Sequence, residues 1–328
     1  MNTLRRRILF AAAGLLVAAV PALAQDDAAR SYPSKPVRIV IGLAAGGGID
    51  VITRVVAQKL SENLGQPVLV ENKPGASGII AAEFVARASA DGYTLMMAPS
   101  GPMVFNAVMY SKLAYSPLKD FTPIAMVASF PLIAVVNAAT PVKSMRELAD
   151  YARANPARAS YAASTAAFQL TTELFNLQAG IHMENISYKG TNESLAAVIA
   201  GDVLVTIADS GPASGAIRGG KVRALAVTSP KRMAAFPDVP TMAEAGFREL
   251  DVQLWAGLFA PAGTSAAIVK KLEEEINRAL RHPDVLQRFN ALNVTPGAAG
   301  GPELGQTMAA EIARWGDVVK KASIKLNN

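Results

Sequence analysis

Cysteine is missing from this 328-residue chain, histidine and tryptophan each occur twice, and aromatic residues make up 6% of it. Each shortage excludes a chemistry. Without a thiol there is no disulfide framework, no cysteine nucleophile and no thiolate metal site. His182 and His282 lie far apart in sequence, and neither has a neighbouring partner pattern, so they read as surface or helix-capping residues and not as metal ligands. The lysines and arginines are scattered, with no stripe and no interleaved aromatics, which argues against nucleic acid as a partner. Gly46-x-Gly48 lacks the third glycine of a dinucleotide fingerprint, because position 51 is Val, and no Lys-Ser or Lys-Thr follows to make a phosphate loop. Gly75-Ala76-Ser77-Gly78 runs into Ile79, so it is not a nucleophile elbow. A Ser-His-Asp triad would need one of the two histidines beside a strand-end serine, which the sequence neither excludes nor favours. These shortages favour capture over catalysis.

What is present begins with an address. Arg5-Arg6-Arg7, an apolar stretch from Ile8 to Val20 and the small-residue site Ala22-Leu23-Ala24 form a secretory signal cleaved before Gln25. The apolar stretch is shorter than the ~20 residues needed to span a bilayer, and Pro21 interrupts it. The arginine pair also loosely matches a twin-arginine signal, leaving the export route open. No cysteine follows the cleavage site, which argues against a lipid-anchored protein and for a soluble periplasmic one. The removed segment carries three arginines and no acid, so the formal charge falls from +6 to +3.

The feature that shapes the reading is Leu43-Ala44-Ala45-Gly46-Gly47-Gly48-Ile49-Asp50, set between an apolar strand (37–41) and an amphipathic helix (51–64). Three glycines remove the Cβ atoms that would screen the backbone, and the N–H groups then sit at the positive end of the following helix. A carboxylate or phosphate fits there without a cationic side chain. The chain continues as a strand over 68–71, the small-residue turn 72–78, a helix over 79–88 and a strand over 93–98. Strands alternating with helices predict a parallel sheet covered on both faces, with the strand ends near Ala44, Asn72 and Ser100 on one edge.

A second unit of the same kind opens with Ser144-Met145-Arg146-Glu147, a capping box. It predicts strands at 159–162, 184–188, 203–208 and 222–228 with helices between. Apolar segments 124–137 and 253–260 cross between the units, which predicts a two-strand hinge. Domain 1 is expected to be discontinuous, 25–128 with 257–328, domain 2 to cover 129–256, and residues 1–24 to be the signal peptide.

Several stretches recur together in order: Tyr32-Pro33 with Lys35-Pro36, GGGIDVITR, VENKPGASG, DGYTLM, Ser187-Tyr188-Lys189-Gly190, KVRALAVTSPKR, FPDVPTMAEAGF, WAGLFAPAGT and ARWGDVVKKASIK. Each is weak alone, but the ordered set resembles the Bug family, the periplasmic solute-binding proteins of tripartite tricarboxylate transporters, over essentially the whole mature chain. The resemblance implies an α/β, two-domain periplasmic-binding-protein fold of the type II, flytrap kind, with parallel-rich sheets. It further implies capture of a small carboxylate in the interdomain cleft, without a cofactor, and delivery to inner-membrane permease subunits. A monomer is expected. A ligand-sensing role in a signalling system is the alternative, and a secreted hydrolase a more distant one. The chain departs from the family at Ile49, where Thr or Ser is usual, and at Ala45, where Pro is common. The loop 163–169 is shorter and less polar than usual, with Gln169 in place of His.

The expected ligand contacts are Ala44, Gly46, Gly47 and Gly48 of the first turn, Ala76 and Ser77 of the second, and Ser100 after the third strand. Asp50 belongs to the same set, although its residue type and its place four residues before Arg54 also fit a helix-start role. In the second domain Ser164 and Thr165 either face the cleft or cap the helix. Tyr188 either presents its ring or shapes a turn, and Asp209 either accepts from a ligand amine or hydroxyl or caps the next helix. With few polar donors on that side, the ligand is expected to carry one carboxylate and a less charged, even aromatic, far end.

Overall fold

In the computed structural model of residues 31–326, short, mostly apolar runs build the first sheet. The signal segment lies outside the described residues. Strands β1 (Val37–Ile41), β2 (Val68–Asn72) and β3 (Thr94–Pro99) pair in parallel in the order β2-β1-β3. Helix α1 (Gly48–Leu64) follows β1 and α2 (Ile79–Ala86) follows β2. After β3 a π turn over Gly101–Phe105 runs into a single α turn, Asn106–Met109. Helix α1 stops at Gly65, whose φ of 67° suits a glycine C-cap.

The two halves of the molecule share one strand. β4 (Phe121–Asn137) is 17 residues long, and its two prolines divide its labour. Proline has no N–H to give to a ladder, so it belongs at bulges and at places where pairing changes. Pro123 adjoins a register shift, and Pro131 is the last residue to pair with β9 (Gln253–Pro261). From Leu132 onward β4 pairs instead with β7 (Val205–Asp209) and β8 (Val222–Val227). The two chain crossings therefore lie side by side, β4 running through and β9 starting at Gln253 opposite Pro131.

The second lobe adds α3 (Met145–Ala154), β5 (Ser160–Ala163), α4 (Ala166–Ala179), β6 (Glu184–Ser187), α5 (Thr191–Ala200) and α6 (Ser210–Arg218). β5 pairs in parallel with β6 and β7. The Ser144 hydroxyl accepts from the Glu147 N–H at 3.2 Å, as the capping-box pattern requires, while the Glu147 carboxylate reaches the Lys143 N–H at 2.7 Å. The chain returns to the first lobe through β9 and ends in α7 (Ala266–Leu280), α8 (Pro283–Ala291), a two-residue β10 (Thr295–Pro296) and α9 (Gly301–Lys321). The sheets are thus mixed, with parallel pairs flanking an antiparallel centre made of β4 and β9. The reason is the return crossing: chain that comes back through the hinge beside β4 must run opposite to it.

Strand direction decides where the loops go. β3 runs antiparallel to β9 and β9 to β4, while β7 and β8 run antiparallel to the far half of β4. The C-terminal ends of β1, β2 and β3 therefore point at the hinge line from one side, and those of β5, β6, β7 and β8 from the other. An apolar cluster runs beneath both lobes, joining Phe105, Trp255, Phe259 and Trp315 to Phe168 and Phe175. α9 secures the chain entering β9: the Glu311 carboxylate accepts from the Trp255 indole N–H at 3.0 Å, and Arg314 donates to the carbonyls of Asp251 and Glu249.

Candidate functional site

On the first-lobe edge the turn after β1 leaves residues 43–48 exposed while Gly42 and Asp50 are buried. α1 starts at Gly48 with Gly47 as its N-cap, and a glycine has no side chain to accept from the first helical turn. The N–H groups of Gly48, Ile49 and Asp50 thus form the unsatisfied positive end of a 17-residue helix at the edge of the cleft. Gly46, with φ of 82°, turns the chain into that position.

The Asp50 carboxylate holds the turn from beneath. It accepts from the Gly46 N–H at 2.9 Å, from Arg54 Nε at 2.9 and 3.0 Å, and from the Asn72 side-chain amide at 3.0 Å. Asn72 also donates to the Leu43 carbonyl at 3.0 Å and accepts from Arg54 at 3.0 Å. The Arg54 guanidinium, helped by the Gly46 and Asn72 donors and opposed by burial, holds the Asp50 carboxyl down at about 2. Two expectations change here. Asp50 is 3% exposed and fully engaged, so it organises the turn and does not face a ligand, and the Gly46 N–H is committed to Asp50.

The second turn is stranger. Gly75, Ala76, Ser77 and Gly78 all have positive φ, at 137°, 45°, 53° and 86°. An L-residue in this region costs on the order of 1–2 kcal/mol, so the surroundings must hold Ala76 and Ser77 there. Asn106 does so from the turn after β3, its amide donating to the Ser77 carbonyl at 3.1 Å, while the Gly78 N–H bonds the Gly75 carbonyl at 2.9 Å. The first turn braces it too, because a Cβ on Gly42 would lie 2.8 Å from the Gly78 Cα. Ala76 and Ser77 remain exposed at the cleft edge. Ser100 does not: it is 1% exposed and starts the π turn underneath, so it is a support and not a contact.

Across the hinge the arrangement is of another kind. Thr165 caps α4, its hydroxyl accepting from the Phe168 N–H at 3.3 Å, so the capping alternative holds for it. Ser164, half-buried, and Tyr188, half-buried against an apolar cluster that includes Ile133, Leu195 and Val198, stand at the ends of β5 and β6. Asp209 ends β7 opposite Leu132, the first β4 residue past the hinge proline. It is half-buried, makes no side-chain cap for α6, and has one weak hydrogen bond, from Thr191 Oγ1 at 3.4 Å. Burial pushes its carboxyl up to about 6, against the smaller pull of Thr191. Among the described residues no cation pairs with it.

Asn106 carried no signal in the sequence, being 29 residues from the carbonyl it holds. Asn72 was visible only as a turn former, and its double duty depends on β2 lying beside β1. His282 caps α8, its Nδ1 accepting from the Asp284 N–H at 3.3 Å, and His182 is exposed. Among the described residues no group of three His, Asp or Glu residues could hold a metal ion. A broad surface groove lined by Lys35, Arg38, Phe84 and Tyr93 lies at the opposite, N-terminal ends of β1 and β3 and shares no residue with these turns.

Two α/β lobes joined at a hinge, with strand ends facing each other from both sides, define a bilobed periplasmic solute receptor. Residues 52–324 match the tripartite tricarboxylate transporter family receptor, TctC, and the chain belongs to that family. It is 35% identical over 321 residues to protein BugT of Bordetella pertussis, covering 97% of this chain and 98% of that one. Among solved structures, an R. palustris protein with adipate is 33% identical with a TM-score of 0.79, covering 90% of this chain and all of the other. MatC from Rhodopseudomonas palustris with bound malate is also 33% identical, with a TM-score of 0.75, covering 88% of this chain and 100% of that one. The protein is thus a transport receptor and not an enzyme.

Proposed function

We propose that the protein takes a small carboxylate into the cleft between its lobes and passes it to the permease subunits of a tripartite tricarboxylate transporter. One observation carries this reading: the exposed, uncapped N-terminus of α1, held open by the Asp50–Arg54–Asn72 network and flanked by the left-handed turn 75–78. Backbone donors in a fixed concave arrangement favour a planar anion and need no arginine or lysine. The two relatives solved with adipate and malate both hold carboxylates, which supports the same chemistry here. In this reading the signal segment 1–24 directs the chain to the periplasm and is cleaved after Ala24, and the mature chain divides into a discontinuous domain 1, 25–128 with 257–328, and a domain 2, 129–256, a division supported by the change of β4 pairing partner just beyond it at Pro131.

Gly47→Val tests the assignment. Gly47 has φ −72° and ψ 166°, which any residue adopts, and its added Cβ would meet only the Ala44 carbonyl oxygen at 3.4 Å. The variant should therefore fold with an unchanged circular dichroism spectrum, and calorimetric titration with malate, adipate and related acids should show binding lost. Wild-type affinity in the variant would refute the site.

A further inference from the structure

Resting on the carboxylate reading above, we infer that Asp209 is the specificity-determining residue of the second lobe, accepting from an ammonium or hydroxyl group at the end of the ligand remote from the α1 carboxylate site. The ligand class is then amino acids and hydroxy acids with the donor distal to the bound carboxylate, in preference to dicarboxylates. The placement is the first support. Asp209 stands at the cleft end of β7, level with the hinge proline, and the start of α6 abuts the first lobe: a Cβ on Gly211 would lie 3.9 Å from the carbonyl oxygen of Leu292, the residue that ends α8.

The second support is what surrounds the carboxylate. β4 and β5 contain no charged residue, and the charged residues of α5 and α6 are engaged or remote. Glu193 accepts from the Lys189 N–H at 2.9 Å, and Arg218 lies at the far end of α6 over the Phe236 ring. Thr191 supplies a single long hydrogen bond. A carboxylate so placed has acceptor capacity to spare and, among the described residues, no ion-pair partner. A ligand ammonium or hydroxyl would supply the missing donor, whereas a second ligand carboxylate would meet a like charge and enter only with a proton. Of the other second-lobe positions predicted from the sequence, Ser164 and Tyr188 are half-buried and Thr165 caps α4, and none of them carries a charge.

Chain-matched probes decide it. Calorimetric titration at pH 7.5 would compare succinate with 4-aminobutyrate and 4-hydroxybutyrate, and adipate with 6-aminohexanoate and 6-hydroxyhexanoate, in the wild type and in Asp209→Asn. The wild type should prefer the amino or hydroxy acid of the fitting length by about tenfold or more, and the variant should lose that preference as the dicarboxylate gains. Asp209→Ser, which removes the charge with a smaller side chain, should behave alike and guards against a folding artefact. An identical ranking in wild type and both variants would overturn the inference while leaving the carboxylate site standing. Failure of every carboxylate to bind the wild type would overturn both.

Discussion

The two lobes meet the cleft with opposite materials. The first offers backbone: an uncapped helix end and four consecutive residues of positive φ, with the side chains of Asp50, Asn72 and Asn106 turned inward to hold the turns in place. The second offers side chains on ordinary strand-to-helix connections, among them a carboxylate without a counter-charge. A backbone site recognises what all ligands of a carboxylate receptor have in common, and its geometry tolerates few substitutions. A side-chain site can change by single mutations and so selects among far ends. Affinity is therefore expected to depend on the rigidity of the first lobe and selectivity on the chemistry of the second.

The largest break in this contrast comes from Asp50→Ala, a first-lobe change at a residue that does not face the cleft. It frees the Gly46 N–H and one side of Arg54 and Asn72, so the turn must be ordered by the ligand itself. Affinity for any accepted carboxylate should fall about ten- to a hundredfold, and stability by about 1–2 kcal/mol, read by calorimetry and urea unfolding. The pH dependence gives a further sign. The Asp50 carboxyl lies at about 2 in the folded chain and at about 3.9 when unfolded, so its stabilising effect is present above pH ~4 and is lost as pH falls toward 2. The wild type should lose stability across that window more steeply than Asp50→Ala, and parallel curves would contradict the role assigned to the network.

The smaller test is on the other side. Thr165→Ala removes the N-cap of α4, which should cost about 1 kcal/mol and lower the melting temperature by a few degrees. Affinity should be unchanged, because the hydroxyl already serves Phe168. A large loss of affinity without a loss of stability would return Thr165 to the list of ligand contacts and blur the contrast between the lobes.

How far the sequence carried this account follows the range of the interactions. The capping box at Ser144 and the glycine turn itself are local, written within a few residues, and were legible. So was the order of elements in the two units, since most of the strands are short apolar runs between turn residues. What was hidden depends on strands that meet only in the fold. Asn106 reaching Ser77, Asn72 reaching Leu43 and Gly42 pressed against Gly78 all follow from β1, β2 and β3 lying side by side. Ser100 was misplaced as a contact because a strand-end serine looks the same whether the next turn lifts it or buries it. Asp50 reads in sequence equally as a ligand group or a helix-start acid, and only its three partners distinguish the two.

The most direct measurement is a crystal structure of the protein with a bound carboxylate. The account predicts the carboxylate oxygens at about 2.7–3.2 Å from N–H groups of the first turn of α1 and of the 75–78 turn, directly or through one water, with no arginine or lysine side chain on them. A carboxylate held by a cationic side chain, with both turns empty of ligand, would contradict it.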